Sequence, residues 1–68
     1  MDEEAVRERM RTLADQGDYA GAISEYVALE GRLAAELKVA PERETRRLLE
    51  EIRRDAPPPL GTGGRDRR

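Results

Sequence analysis

The chain has 68 residues, 37% of them hydrophobic and 41% charged, and its formal net charge is -2; a chain this short holds one domain at most, with a small core. It contains no cysteine and no histidine, which excludes disulfides and thiolate metal sites and removes the commonest general base. The acidic balance argues against a nucleic-acid-binding domain, and the two tyrosines as sole aromatics argue against a β fold. No apolar run is long enough to span a membrane. We therefore predict an all-α, cytoplasmic domain without cofactor or metal.

The first predicted helix covers residues 3–16, with Asp2 as a possible N-cap. Its narrow apolar face repeats at helical spacing and supplies three predicted core residues, Val6, Met10 and Leu13. Its polar surface carries three arginines, Arg7, Arg9 and Arg11. This cluster could bind an anion, but the interleaved acidic residues favour a solvated surface.

Gly17 predicts a left-handed turn, and Asp18 can cap a second helix over residues 18–37. A helical wheel divides this helix into two sectors of large apolar residues and one sector of small residues. The large sectors supply the predicted core residues Ala22, Ile23, Tyr26, Leu29, Leu33 and Leu37. The small sector is the predicted protein interface and consists of Gly21, Ser24, Ala28, Gly31 and Ala35.

The glycines of the small sector need an explanation, because each costs a helix interior about 1 kcal/mol relative to alanine. Either another helix approaches closely there, or small residues are merely tolerated at exposed positions. The sequence leaves both interpretations open. Glu30 is the one charge inside a large apolar sector, and we expect it to pair with an arginine or to reach water.

Pro41 is well suited to the first turn of a third helix, predicted over residues 41–54. Its apolar face adds the predicted core residues Leu48, Leu49 and Ile52. The helical domain is therefore predicted over residues 1–55. Residues 56–68 contain three prolines, three glycines and three arginines against one aspartate, so we expect a basic disordered tail or linker there.

The helical hairpin has the spacing of a tetratricopeptide repeat, carried by Gly17, Asp18, Tyr19, Ala22 and Tyr26. The continuation ELKVAPERETRRLLEEI, residues 36–52, resembles the Glu-Leu-Gly-Val-Glu-Pro-Ser-Pro-Glu-Thr-Arg block of the bacterial transcriptional activator domain, the tetratricopeptide-like module of antibiotic regulatory proteins. The resemblance extends over about residues 3–54. Lys38 stands where the family usually has the glycine that ends a helix, and Glu42 and Arg43 replace its Ser-Pro.

The resemblance implies a noncatalytic protein-protein interaction module that contributes to transcription regulation. In that family a DNA-binding winged helix precedes a helical domain that mediates dimerisation and contact with the transcription machinery, and this chain resembles only the last part of the helical domain. The implied partner is a second copy or a transcription regulator, with no sequence-specific nucleic-acid contact. An enzyme is not expected, because Ser24 has no histidine to activate it and the carboxylates are scattered.

Two alternatives stay open. The chain could be a small homo-oligomeric structural or adaptor protein without a transcriptional role, in which the small sector joins two copies. It could also be a weak nucleic-acid accessory that uses the arginine cluster of the first helix and the basic tail.

Overall fold

A computed structural model describes residues 2–57 of the chain as three helices, α1 (Glu3–Asp15), α2 (Tyr19–Glu36) and α3 (Arg43–Asp55). No strand occurs in this part of the chain, so the prediction of an all-α fold is confirmed. α1 and α2 form a helical hairpin, and α3 packs against both. Most of the predicted tail, residues 58–68, lies outside the described residues.

The turn between α1 and α2 is fixed by backbone hydrogen bonds around Gly17. Gly17 has a φ of 84°, which is in the left-handed region that glycine enters without a steric penalty. Its N–H donates to the Ala14 carbonyl at 2.9 Å, and the Asp18 N–H donates to the Leu13 carbonyl at 2.8 Å. This pair of bonds is a Schellman motif, which satisfies carbonyls that the end of α1 would leave unpaired.

The connection between α2 and α3 differs from the prediction. α2 ends at Glu36, and Lys38 adopts a left-handed φ of 56° although it is not glycine. α3 begins at Arg43, two residues later than predicted, because Glu42 is extended and serves as its N-cap. Pro41 is buried in the connection instead of occupying the first helical turn.

The core lies between the three helices. Its buried hydrophobic residues are Val6, Met10, Ala22, Tyr26, Leu29, Leu33, Leu48, Leu49 and Ile52. Two further residues expected in the core are partly buried against it, Leu13 and Ile23. Leu37 was also expected there, but it is 58% exposed, because α2 ends one residue earlier and the left-handed Lys38 turns the chain away.

A buried polar contact joins the N-terminal ends of α1 and α3. Thr45 is fully buried, and its hydroxyl donates to Glu3 Oε1 at 2.7 Å and accepts from Arg7 Nη1 at 2.9 Å. Glu3 Oε1 also accepts from the Glu42 N–H at 3.0 Å. Since Glu42 makes no side-chain cap of its own, a carboxylate from α1 takes the place that favours negative charge at the start of α3.

Candidate protein interface

The side of α2 that points away from the core exposes a row of uncharged residues. We call this surface the outer face of α2; its members are Ala20, Ser24, Val27, Ala28, Gly31, Ala34 and Ala35. At 100° per residue they occupy one continuous arc of the helix. The exposed charged residues of α2 lie beside this arc, with Glu30 at one edge and Arg32 and Glu36 at the other.

The outer face of α2 is unlike the exposed surfaces of the other two helices. Every exposed residue of α3 is charged, and most exposed residues of α1 are charged as well. Charged exposed surfaces of this kind favour solubility, whereas an uncharged exposed face is typical of a contact surface. This face includes a large hydrophobic residue, Val27, which is 56% exposed.

The structure separates the two glycines that the sequence placed together in the small sector. Gly21 lies in the first turn of α2, where its N–H donates to Asp18 Oδ1 at 2.9 Å and a Cβ would collide with the same carboxylate. Gly31 has no heavy atom within 4 Å of the position of a Cβ, apart from its own helix backbone and chain neighbours. Capping therefore accounts for Gly21, while no contact within residues 2–57 accounts for Gly31.

Of the five predicted interface residues, four lie exposed on the outer face of α2, namely Ser24, Ala28, Gly31 and Ala35. Gly21 is half-buried and belongs to the helix start. Three further residues widen the face and were not predicted as part of it, namely Ala20, Val27 and Ala34. The signal for Val27 and Ala34 was the absence of charge between Glu25 and Glu30 and between Arg32 and Glu36.

The arginines of α1 do not form a continuous basic surface. Arg7 turns toward α3, where its Nη1 lies 3.4 Å from Glu42 Oε1 and its side chain is only 11% exposed. Arg9 turns toward α2 and pairs with Glu25, with 3.0 Å between Nε and Oε1. Arg11 is exposed. Two of the three arginines are therefore already paired with carboxylates from other parts of the fold.

The described residues offer little for chemistry. Residues 2–57 contain no group of three or more carboxylates arranged to hold a metal ion. Burial raises the pKa of the Tyr26 phenol above its usual 10.0, and the Glu30 carboxylate adds to that increase. The Tyr26 side chain is part of the core, so this shift reflects packing and does not create an accessible acid or base. Glu30 itself is exposed.

None of the three helices in the described part is long and apolar enough to cross a bilayer.

Comparison with known proteins gives one informative result. No curated protein and no solved structure shows significant similarity to the chain. A family profile described as the bacterial transcriptional activator domain, a regulatory and not an enzymatic family, matches residues 1–53, which include α1, α2 and most of α3. The resemblance noted in the sequence is thus confirmed, and the chain belongs to the bacterial transcriptional activator domain family.

Proposed function

We propose that the chain is a noncatalytic, cytoplasmic protein-interaction module in transcription regulation, and that the outer face of α2 contacts its protein partner. The observation that carries the proposal is this uncharged exposed face in a chain of which 41% of the residues are charged. A helix that is apolar on its exposed side as well as on its core side is expected to bury both against protein. Family membership supplies the regulatory context.

The composition of the outer face suits close packing of a second helix. Its residues are mainly alanine and glycine, with Gly31 open above its Cα atom. Small side chains let the axes of two packed helices approach to about 8 Å, the short end of the usual range of interaxial distances. At that distance larger side chains of the partner helix would fill the space above Ala28 and Gly31. This packing favours a helical surface as the partner, and family membership makes a transcription regulator or the polymerase the expected source of that surface.

Self-association is the second candidate, and one charge pattern favours it. Arg32 and Glu25 lie on the same edge of α2, two turns apart, on either side of Ala28. Arg32 makes no ion pair within residues 2–57. When two copies of a helix pack antiparallel, like edges face each other, so each Arg32 would lie opposite the Glu25 of the other copy and would join its pair with Arg9. Sedimentation at micromolar concentration separates this candidate from a hetero-complex, since a strict monomer excludes it.

Affinity capture from a bacterial lysate tests the proposal, with retained proteins identified by mass spectrometry. The double substitution Ala28→Leu and Gly31→Leu places two large side chains on the outer face and should abolish capture while preserving helix content, because leucine is a better helix former than glycine. Ala5→Leu, at an exposed alanine of α1, is the matched control and should not change capture.

The expected retained protein is a regulator, a polymerase subunit or a second copy of the chain. Equal capture by the Ala28→Leu/Gly31→Leu variant would place the interface elsewhere. Retention of none of these proteins by the unmodified chain would contradict the proposed function as a whole.

A further inference from the structure

A second surface feature lies away from the outer face of α2, where the connection between α2 and α3 passes the N-terminus of α1. A groove of about 510 Å³ opens there. Its apolar residues are the buried Leu33 and the more exposed Leu37, Val39 and Ala40. Its charged residues are Asp2, Glu3, Glu4, Arg7 and Glu42. The groove therefore combines an apolar wall with an acidic rim.

The apolar wall exists because of the way α2 ends. Leu37 is 58% exposed and Val39 is 50% exposed, and they flank Lys38, whose left-handed backbone reverses the direction of the chain. The Val39 N–H reaches back to the Leu33 carbonyl at 3.3 Å, which fixes the reversal. Two large side chains are thereby held at the surface by the backbone and are not left there by fraying.

The rim carries four carboxylates against one guanidinium, a net charge of -3, and the partial charges of about +0.5 at the N-termini of α1 and α3 cancel only part of it. The one positive group is withdrawn from the opening, since the Arg7 side chain is 11% exposed and contacts Glu42 and Thr45. Glu4 is exposed and makes no ion pair in the described part of the chain. The electrostatic complement of this groove is a cation, and the complement of its wall is an apolar side chain.

We propose that this groove binds a basic segment of another protein, with an apolar side chain seated against Leu37 and Val39 and a lysine or arginine beside Asp2 and Glu4. Charge selects the class of partner. The helical domain of a second copy is a poor occupant of this groove, because its residues 1–55 carry fourteen acidic against ten basic residues, a net charge of -4. This site is separate from the outer face of α2 and extends the proposed function without depending on it.

A synthetic peptide of alternating leucine and lysine residues is the probe, labelled for fluorescence anisotropy at physiological salt. The matched leucine-glutamate peptide reports apolar binding without charge complementarity. We expect the basic peptide to bind and the acidic peptide not to bind. Leu37→Ser/Val39→Ser should weaken binding by about tenfold or more, as for a central apolar contact of an interface. Val27→Ser, at a similarly exposed valine of the outer face, should leave binding unchanged.

A second pair of variants tests the position of the charge, because each variant removes one negative charge from the chain. Glu4→Gln should weaken binding of the basic peptide severalfold, whereas Glu50→Gln, at an exposed glutamate of α3, should not. Equal loss in both variants would show nonspecific attraction and overturn the proposal. So would unchanged binding by Leu37→Ser/Val39→Ser.

The basic residues at the end of this chain give one further outcome. If Arg65→Ser/Arg67→Ser/Arg68→Ser raises the affinity for the basic peptide by about tenfold, and the same loss of three charges at Arg46, Arg47 and Arg54 of α3 does not, the chain's own terminal segment competes for the groove, and the proposal of a separate protein is wrong. The variant Ala28→Leu/Gly31→Leu should bind the peptide as the unmodified chain does. Failure of the groove is thereby distinguishable from failure of the outer face of α2.

Discussion

The Thr45 hydroxyl of α3 donates to the Glu3 carboxylate of α1 at 2.7 Å, and Thr45 is fully buried. This bond connects the first turn of the first helix to the first turn of the last helix. Arg7 completes the contact by donating to the same hydroxyl at 2.9 Å. The position of α3 on the hairpin therefore depends on a polar arrangement as well as on the apolar core.

Thr45→Val should destabilise the fold by about 1–3 kcal/mol, because valine preserves the shape but leaves Glu3 and Arg7 without their shared partner. Urea unfolding followed by circular dichroism measures the change. Thr12→Val is the matched control, since the exposed Thr12 hydroxyl bonds only to the Glu8 carbonyl in its own helix, and a change below about 0.5 kcal/mol is expected. Equal stability of the two variants would show that the junction contributes nothing.

Lys38→Gly should stabilise the fold by about 0.5–1 kcal/mol, because glycine adopts the left-handed backbone of residue 38 without the steric cost of a Cβ. Gly17→Ala should have the opposite effect by a similar amount, since nothing crowds the Cβ position and only the backbone is strained. For a domain of this size about 1 kcal/mol shifts the Tm by roughly 4–8 °C, so thermal unfolding resolves both effects. A lower Tm for Lys38→Gly would contradict this reasoning.

Gly31→Ala should raise the stability of the isolated chain by about 1 kcal/mol, as for alanine in place of glycine in an unobstructed helix interior. Gly21→Ala should change it little, because the gain in helix propensity is offset when the Asp18 carboxylate moves away from its cap, a contact that contributes about 1 kcal/mol. Chemical denaturation of the two single variants makes the comparison. The same gain at both positions would mean that the Asp18 cap is unimportant.

Alkaline pH should destabilise the fold through Tyr26. Burial raises the pKa of this phenol in the folded chain above 10.0, so the unfolded chain releases the proton first. The neutral phenol therefore makes its full contribution to the free energy of unfolding below pH 10.0. This contribution declines as the pH rises from there through the pKa of the folded chain. Thermal unfolding at neutral pH and at about pH 11 should show a smaller decline for Tyr26→Phe. An equal decline in both proteins would assign the effect to other groups.

The helices and the family were predictable because they depend on local signals. Helical spacing, the Asp2 and Asp18 caps and the turn at Gly17 act within a few residues, and the structure retains each of them. The start of α3 was not predictable in this way. It is set by a bond from Glu42 to Glu3, 39 residues earlier in the chain, and no local pattern reports such a partner.

The candidate interface was predictable in direction but not in extent. A helical wheel gives the side of α2 on which Ala28 and Gly31 lie. It cannot show that Gly21 takes part in the N-terminal capping of α2 or that Leu37 is exposed. Both differences arise at helix ends, where capping and chain reversal replace the regular period. The groove beside Leu37 was missed for the same reason, since it depends on the left-handed Lys38 backbone.

The central claim is that the outer face of α2 contacts a protein partner. Site-specific photocrosslinking in living bacteria tests it most directly, with the photoreactive amino acid placed at Ala28 on the outer face or at Arg47 on the exposed surface of α3. We predict that the Ala28 probe crosslinks to a transcription regulator, a polymerase subunit or a second copy of the chain, and that the Arg47 probe does not. Crosslinks from Arg47 alone, or from neither position, would contradict the account.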